Sequence, residues 1–383
     1  MTDINIYAQT IRRKLHKNPE VGFELPKTLS IIANELEDIG VEYTDKYGKS
    51  SLVATINPYK KGFTIGIRAD IDALPLKEEN DVPYKSKTNG FMHACGHDAH
   101  TAILIATIKE LNDIKDKINC QVKFIFEAAE ETGGGAKLMV EDGVMDDIDC
   151  IIGLHCDPAF EAGTIAVSPN EQSANSDGFY LDFYGESTHA AEQYASVDAI
   201  MMAIKAYSSI EFMIAKEIDP LTPCIFNVGM IEGGKTNNIV ADHCRMFCTL
   251  RTYSANERDK ALSRIKKIID YIAKESGGRA EYTTVKTYSA TINDPVISEK
   301  LRLSAQKVVG EECVYVNGKS MIGEDFSDFA NVKPGCLFRL GTKNEEKGIT
   351  AALHQTTFDI DEEALGIAVD VYKQFVIDNM NGI

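Results

Sequence analysis

The sequence lacks any run of about eighteen apolar residues, and its first stretch, MTDINIYAQTIRRKLH, contains no apolar segment of the secretory type. Neither export nor a membrane-spanning helix is therefore predicted, and we expect a cytoplasmic protein. Basic residues are comparatively few: the sequence has 40 Lys and Arg and 58 Asp and Glu, which gives a net charge of −18. Such a charge repels phosphate backbones and anionic lipids, so neither nucleic acid nor membrane is an expected partner.

Paired cysteines are also absent. The nine cysteines are an odd number and include no CxxC motif. This argues against a disulfide framework and predicts reduced thiols. Cys150 and Cys224 lie in apolar runs, and most of the cysteines are expected to be small core residues.

The apolar pattern of the remaining sequence indicates two domains, which a length of 383 residues also favours. Helical spacing before Pro19 and over residues 27–39 is followed by strand-like runs, with one helix predicted over 99–111. The strand-like runs are SLVATI, FTIGIRAD, CQVKFIFEA, CIIGLH and GTIAVS. Nearly continuous apolar strands that alternate with helices predict an α/β domain with a mostly parallel sheet flanked by helices.

The middle of the chain follows a different pattern that begins with the alternating run DGFYLDFYG. The predicted elements after it are a helix over 193–216, strands over 224–232 and 243–252, a helix over 255–275 and a strand over 280–287. This β-α-β-β-α-β order is that of a ferredoxin-like α+β unit. We therefore expect a discontinuous catalytic domain, residues 1–174 and 289–383, into which residues 175–288 are inserted. The last predicted helix spans 361–378, with Asp359 or Asp361 as its N-cap.

Side chains that can bind metal follow the predicted strands, where the active sites of open α/β sheets collect. In HACGHD, Gly96 permits a tight turn that brings the Cys95 thiolate and the His97 imidazole to one ion. Taken alone, this cluster is also compatible with packed loop residues. His93 and His100 are interpreted as structural or as partners of the ligands, because ligand-type side chains already crowd the loop.

Further candidates follow other strands. FIFEAAEE ends in Glu130 and Glu131, whose adjacent side chains are expected to diverge, so that one binds metal while the other faces substrate. FTIGIRAD ends in Asp70. His155 and His354 are each weak candidates alone, because a lone histidine is more often structural. Together the possible ligands are sufficient for two ions: Cys95, His97, Glu131, His155 and His354.

A series of ordered motifs over nearly the whole chain carries a resemblance to a known family. The motifs are RADIDALP, MHACGHDAHTA, EAAEETGGGA, GLH, STHAA, GGKTNNIVAD, GEDFSDF and the LH before FDIDEEAL. They resemble the bacterial and plant amidohydrolases that include hippurate hydrolase, indole-acetyl-amino-acid hydrolases and N-acetyl-diaminopimelate deacetylase, within the wider aminoacylase and carboxypeptidase-G-type metallopeptidases. The motifs are specific for fold and reaction type and much less so for substrate.

The resemblance implies roles for particular residues. The five possible ligands would hold two divalent ions per subunit, with Glu130 as the general base and Asp70 as a supporting carboxylate. The inserted domain would be a lid and dimerisation domain, so a homodimer is expected. His189 would stabilise the oxyanion, in its own chain or in that of its dimer partner. Asn238 and Arg251 would meet the substrate carboxylate.

Two departures from the family pattern bear on these roles. Zinc members of the wider superfamily have a ligand histidine two residues before the first-motif aspartate, where this chain has Arg68. The Cys-Gly-His loop is expected to compensate for that loss. Closer relatives read HAAxPH in the inserted domain, whereas this chain reads HAAEQY, which puts part of the substrate-binding wall in question.

These features predict metal-dependent hydrolysis of the amide bond of N-acyl-amino acids, with Glu130 moving the proton from water to the departing nitrogen. N-acetyl-diaminopimelate deacetylation and a dipeptidase-like activity are alternatives with the same chemistry. A catalytically idle, metal-stabilised binding protein is the alternative from another class, but neither a ligand nor the base is missing. A thiolate favours zinc, whereas the carboxylate and imidazoles also admit manganese or cobalt.

Overall fold

The structure is a computed structural model that describes residues 2–60, 62–316 and 318–383. The helices are α1 (Asp3–His16), α2 (Pro26–Ile39), α3 (His97–Asn112), α4 (Gly135–Glu141), α5 (Ala199–Glu217), α6 (Ala255–Ser276), α7 (Pro295–Val309), α8 (Phe326–Ala330) and α9 (Ala364–Asn379). The strands are β1 (Tyr43–Thr44), β2 (Leu52–Ile56), β3 (Thr64–Asp70), β4 (Gln121–Glu127), β5 (Cys150–Glu161), β6 (Ile165–Ala166), β7 (Asn170–Glu171), β8 (Asn175–Tyr184), β9 (Cys224–Gly233), β10 (His243–Thr252), β11 (Arg279–Tyr288), β12 (Ile292–Asn293), β13 (Val314–Tyr315) and β14 (Gly335–Lys343).

The chain forms two compact units. The first contains Met1–Gln172, Thr291–Lys319 and Asp325–Ile383, and the second contains Ser173–Ala290 and Ser320–Glu324. Because the second unit lies almost entirely within one continuous stretch of chain, it interrupts the sequence of the first.

The first unit is built on a sheet with the strand order β1-β2-β4-β3-β5-β14-β6-β13. The central strands β4, β3, β5 and β14 are parallel neighbours, whereas β2 pairs antiparallel with β4 and β6 pairs antiparallel with β14. Every residue of β3 is buried, as expected for a strand with helices on both faces. The predicted α/β class with a mostly parallel sheet is therefore confirmed.

Helix α3 positions the candidate site because it begins inside the HACGHD motif. It packs against α1, α9 and the sheet, and most of its residues are buried on all sides. This explains why its sequence, AILIATI at the centre, is apolar around the whole circumference. The opposite face of the sheet is covered by α4 and α8, which share an apolar cluster with β4, β5 and β14.

The second unit contains an antiparallel sheet with the order β11-β8-β10-β9. With α5 after β8 and α6 after β10, the chain order is β-α-β-β-α-β, so the predicted ferredoxin-like arrangement is confirmed. Burial alternates strictly along β10, which has one face on the helices and one more open face.

Two predicted helix boundaries are wrong. Helix α5 begins at Ala199, not at residue 193, because the Asp198 carboxylate accepts the N–H groups of Ile200 and Met201 and caps the helix there. The residues before it, Ala190–Ala195, form a 3-10 turn.

The last helix, α9, begins at Ala364 without a side-chain cap, so neither Asp359 nor Asp361 has the predicted role. Asp359 instead accepts hydrogen bonds from Arg12 and Tyr84, and Asp361 binds Lys347. The partners of Asp359 are distant in sequence, whereas Asp361 also accepts the N–H group of Glu363, one residue before the helix begins.

The nine cysteines all lie in the described residues, and none of them forms a disulfide, as predicted from their number and spacing. Across the described part of the chain, no helix combines the length and the apolar character needed to cross a membrane.

A buried group of charges connects α1 to the first turn of α3. The guanidinium of Arg12, fully buried, lies 3.1 Å from Asp98, 2.7 Å from Asp359 and 3.0 Å from Glu362. His16 Nδ1 lies 2.7 Å from the same Asp98 carboxylate. Removal of one partner from such a group leaves a buried uncompensated charge, which is strongly destabilising. The network therefore anchors the segment that carries the HACGHD motif.

This network predicts a loss of stability at alkaline pH. Although burial opposes protonation, Asp98 and Glu78 raise the pKa of His16 from 6.5 to about 9. Since the folded-state pKa is the higher one, the stabilisation is complete below pH 6.5 and disappears as the pH rises through 9. It amounts to about 3 kcal/mol. In the presence of a chelator, the apparent Tm of the wild type should fall more steeply from pH 6.5 to 9 than that of His16→Gln. Parallel pH profiles would contradict the prediction.

Candidate metal centre

The turn between Cys95 and His97 is possible because a glycine separates them. Gly96 has φ +87°, and a Cβ atom there would lie 3.1 Å from Cys156 Cβ. Helix α3 begins at the next residue, so His97 belongs to its first turn. As a result, ligand atoms of Cys95, His97 and His155 lie within 4.8 Å of one another. The Cys95 Sγ and His155 Nε2 atoms are 3.4 Å apart.

Cys95 also belongs to a second group of possible ligands. The Nε2 atom of His354 is 3.4 Å from Cys95 Sγ and 3.2 Å from Glu131 Oε1. His354 has φ +63°, and its N–H group donates to the carbonyl oxygen of Ala94, which places the imidazole beside the HACGHD turn. The structure thus brings together all five ligands predicted from the sequence, with the thiol common to both groups.

The spacing of these atoms fits a bound cation. With metal–sulfur and metal–nitrogen or metal–oxygen distances of about 2.3 and 2.0–2.1 Å, ligand atoms at neighbouring corners of a tetrahedron lie roughly 3.3–3.6 Å apart. The distance from Cys95 Sγ is 3.4 Å to His155 Nε2 and 3.4 Å to His354 Nε2. The distance from His354 Nε2 to Glu131 Oε1 is 3.2 Å. The residues therefore fit the coordination of a metal ion.

Hydrogen bonds orient the buried imidazoles of His97 and His155 so that each can bind a metal. The Nδ1 atom of His97 is 3.0 Å from the carbonyl oxygen of Asp72, and that of His155 is 2.7 Å from the carbonyl oxygen of Cys156. Because a carbonyl oxygen only accepts, Nδ1 donates in both rings, which leaves Nε2 as the ring nitrogen that can bind a metal. Within the described residues, Nε2 of buried His97 has no hydrogen-bond partner.

The two glutamates are held by an aspartate that sequence reasoning did not single out. The N–H groups of Glu130 and Glu131 both lie 3.2 Å from the carboxylate of Asp72. Strand β4 has already ended, and Ala129 has φ +61°. The alternation of side chains along a strand therefore does not apply. The predicted divergence is wrong, since carboxylate oxygens of both glutamates lie within 4.8 Å of a nitrogen of His97.

Asp70 is completely buried and is held on two sides. Its Oδ1 lies 2.5 Å from His100 Nδ1, and its Oδ2 lies 2.9 Å from Arg68 Nη1. The Nε2 atom of His100 accepts the N–H of Cys156, so the ring has no nitrogen left for a metal. Burial alone would raise the pKa of Asp70, but His100, His97 and Arg68 hold it well below the usual range. Asp70 therefore remains ionised beside His97.

Arg68 stands where zinc members of the superfamily have a ligand histidine. Its buried guanidinium contacts Asp70, Glu127 and Asp325, at 2.9, 2.5 and 2.9 Å. A guanidinium has no lone pair for a metal, so the residue supplies a fixed positive charge that orders buried carboxylates. Neither Glu127 nor Asp325 is predicted from the sequence, although Asp325 lies in the GEDFSDF motif.

The electrostatics of the centre favour a cation. Burial, then Glu131 and Glu130, raise the pKa of the Cys95 thiol well above its ordinary value. Burial, then Arg339, lower the pKa of His155, so its imidazole is neutral. A divalent cation reverses the balance at the thiol, because it stabilises a thiolate directly. Metal binding at this centre is thus expected to release a proton.

His93 does not belong to the centre. It is buried, and within the described residues neither ring nitrogen has a hydrogen-bond partner. Burial lowers its pKa to about 3, which keeps the imidazole neutral. Its nearest ring neighbour is His16, at a centroid distance of 6.3 Å.

The second unit carries the three remaining predicted site residues. His189 is exposed, and its Nδ1 accepts the N–H of Ala191, so the proton is on Nε2 and can be donated. Asn238 lies beside it, because the N–H of Ala190 donates to the Asn238 carbonyl oxygen at 3.0 Å. The structure therefore brings His189 and Asn238 together.

Arg251 lies far from these two residues within the unit. The segment of Asn238 enters β10 at His243, and Arg251 is eight positions further along the same strand. At about 3.3 Å per residue, that separation is roughly 26 Å. The side chain of Arg251 is half-buried and donates to the carbonyl oxygen of Met321.

Comparison with known proteins assigns the chain to a class of metal-dependent hydrolases. Residues 66–378 match Peptidase family M20/M25/M40, and the chain belongs to this family. It is 34% identical to thermostable carboxypeptidase 2 of Saccharolobus solfataricus, over 99% of this chain and 97% of the relative. It is 31% identical to an N-acetylcysteine deacetylase of Bacillus subtilis, over 96% and 95% of the two chains.

A solved structure agrees with this assignment. The crystal structure of a dinuclear metal-binding peptidase of the M20 family from Bacillus subtilis superposes with a TM-score of 0.82. Its sequence is 28% identical, and the superposition covers 98% of each chain. The resemblance seen in the sequence motifs and the prediction of a metal-dependent hydrolase are thus confirmed.

Proposed function

We propose that the protein hydrolyses the amide bond of N-acyl-amino acids with the aid of two divalent cations. The observation that carries the proposal is the pair of ligand groups that share Cys95. One cation would be held by Cys95, His97 and His155, and the other by Cys95, Glu131 and His354. The Cys95 thiolate would contribute to both ligand groups, since sulfur has more than one lone pair available.

Glu130 is proposed as the general base. Its carboxylate lies in the same cluster as His97 and Glu131, and the bond from its N–H group to Asp72 holds its backbone in place. When bound, the cations make water acidic enough to attack at neutral pH and polarise the amide carbonyl. Glu130 would accept the proton from water and deliver it to the nitrogen that leaves.

The metal is proposed to be zinc or manganese, with cobalt as a further possibility. A thiolate and imidazoles suit zinc, whereas the carboxylate ligand and the nearby acidic residues are also compatible with manganese. The affinity order of the divalent ions does not decide between them, because availability and geometry also contribute.

Carboxypeptidase activity is a second candidate. The 34% identity to thermostable carboxypeptidase 2 over nearly the whole chain favours it. The two reactions share an amide nitrogen next to a free α-carboxylate, and they differ in whether the acyl group is a small acid or a peptide. The same metal ligands and general base would serve both reactions, and N-acetyl-diaminopimelate deacetylation as well. The surface that binds the acyl group would therefore determine which substrate is hydrolysed.

We also propose that the active protein is a homodimer formed through the second unit. A small substrate does not span the roughly 26 Å along β10 that separates Arg251 from His189 and Asn238. Two copies of the chain would let each active site receive Arg251 from one copy and His189 with Asn238 from the other.

Exposed apolar side chains on the second unit support this association. On α5 they include Met201, Ile204 and Phe212, which are 50%, 50% and 68% exposed. Strand β9 is at the edge of its sheet, and its Ile225 and Ile231 are also exposed. An open sheet edge and an apolar surface of this kind are typical of interfaces between chains.

A substrate panel tests the proposed reaction. The protein is stripped with a chelator, reloaded with zinc, manganese or cobalt, and assayed for amine release from N-acetyl, N-benzoyl and N-succinyl amino acids, N-acetyl-diaminopimelate and dipeptides. We expect metal-dependent release from N-acyl-amino acids and none from the stripped protein. Release from peptides alone would favour the carboxypeptidase candidate, and no release from any amide would contradict the proposal.

A further inference from the structure

Arg339 is a buried guanidinium for which the described residues provide no anion. Its side chain is 3% exposed, and its Nε has no hydrogen-bond partner within residues 2–60, 62–316 and 318–383. The two other arginines with a fully buried side chain, Arg12 and Arg68, each contact at least three carboxylates. Because a buried charge without a partner is strongly unfavourable, Arg339 requires an anion from another source.

The position of Arg339 associates it with the metal centre. In the sheet of the first unit, Arg339 on β14 is the register partner of His155 on β5. Register partners on neighbouring strands, about 4.8 Å apart, direct their side chains to the same face of the sheet. Arg339 therefore emerges next to a proposed metal ligand and on the same side.

The surroundings of Arg339 hold its side chain in place. Gly318 has φ +127°, and a Cβ atom there would lie 3.3 Å from Arg339 Cγ and 3.6 Å from Ala166 Cβ. The Nε2 atom of Gln172 donates to the Gly318 carbonyl oxygen at 2.7 Å, which fixes this loop over the arginine stem. A restrained guanidinium loses little conformational entropy when it binds a ligand.

A purely structural role would not require a charge at this position. Strand β14 reads GCLFRLGTK, and its other residues before Lys343 are uncharged. Leu337, two positions earlier on the same face, is buried in an apolar cluster with Phe326. An apolar residue at 339 would continue that packing without a desolvation cost.

From these observations we infer that Arg339 is an anion subsite for a second carboxylate of the substrate. The inference rests on the proposed function, in which the α-carboxylate is met by Asn238 and Arg251. The second carboxylate belongs either to a dicarboxylic acyl group or to an acidic amino-acid side chain. Both present the planar pair of oxygens that a guanidinium binds with two parallel hydrogen bonds. Arg339 would thus determine a preference for substrates with an additional negative charge.

Matched substrate pairs test the subsite. N-succinyl-methionine is compared with N-acetyl-methionine for the acyl side, and N-acetyl-glutamate with N-acetyl-glutamine for the side chain. In one of the two pairs, Arg339→Met should lower kcat/KM about 10–100-fold for the more negative member and change the other less than about threefold. Arg302→Met, which removes a partly buried arginine paired with Glu299 on α7, is the control and should behave as wild type.

The outcome that would overturn the subsite is an equal loss for both members of both pairs, with metal content and Tm unchanged. If Arg339→Met does not fold, Arg339→Lys takes its place in the test. Lysine keeps the positive charge but cannot form the two parallel hydrogen bonds to a carboxylate. The more negative member of one pair must then lose at least severalfold relative to its partner, and no selective loss would refute the inference.

A binding measurement separates failure of the subsite from failure of the proposed function. If the wild type hydrolyses none of these amides, metal-loaded protein is titrated with succinate and with propionate by calorimetry. Wild type should bind succinate about tenfold more tightly than Arg339→Met or Arg339→Lys does, whereas propionate should bind wild type and variant alike. Equal binding of succinate would refute the subsite whether or not the protein is an amidohydrolase.

Discussion

Glu130→Gln protein is expected to lose roughly 10²–10⁴-fold in kcat and to keep its metal. The loss is of the size that general acid–base catalysis contributes, because the amide can neither accept the proton from water nor pass it on. The metal remains because the five proposed ligands are unchanged, and the N–H bond to Asp72 does not involve the side chain. Steady-state kinetics and metal analysis by mass spectrometry measure the two quantities.

Glu131→Gln is the matched control, since it makes the same chemical change one residue further along. Its side chain lies 3.2 Å from His354 Nε2, so its loss should reduce metal occupancy before any other property changes. Loss of metal from Glu130→Gln, with retention by Glu131→Gln, would show that the two glutamates have the opposite roles.

His189→Ala should lower kcat by about 10²–10³-fold, or 2.7–4 kcal/mol, with little change in KM. The proposed bond from its Nε2–H strengthens only as negative charge develops on the amide oxygen, so transition-state stabilisation is lost and substrate binding is not. The geometry already favours this proton position, because Nδ1 accepts the N–H of Ala191. Stability should be unaffected, since the side chain is exposed.

Mixing two inactive variants tests whether His189 acts across a dimer. A heterodimer of His189→Ala and Glu130→Gln contains one site with both an intact base and an intact histidine, so activity should return after dissociation and reassociation. Either variant alone, treated in the same way, is the control. If mass-tagged subunits are shown to exchange and no activity appears, His189 acts within its own chain or has no catalytic part.

The pattern of strands and helices could be predicted because it is local. A strand repeats every two residues and a helix every 3.6, so β8 to β11 with α5 and α6 were recognisable as a ferredoxin-like unit. The Cys95-Gly96-His97 turn could also be predicted, because the positive φ of Gly96, +87°, is a local backbone conformation that favours glycine.

The errors at Asp359 and at the two glutamates arose where a distant residue competed with a local preference. Asp359 has a favourable position for a helix cap, but Arg12, 347 residues earlier, takes its carboxylate. The divergence expected of Glu130 and Glu131 assumed that a strand continued, whereas the chain leaves β4 at Glu127 and turns towards Asp72.

The sequence by itself determined the two folds, the types of candidate metal ligand and their order along the chain. Only the tertiary structure decided which buried polar groups pair with one another. Arg68 contacts Asp325, 257 positions later in the chain, and Cys95 contacts His354, 259 positions later. Periodicity reports which face of an element is buried, and it does not report which partner lies there. Buried charges are stable only with partners or ligands, so the pairing in space, including the absence of any described anion at Arg339, becomes visible only when the chain is folded.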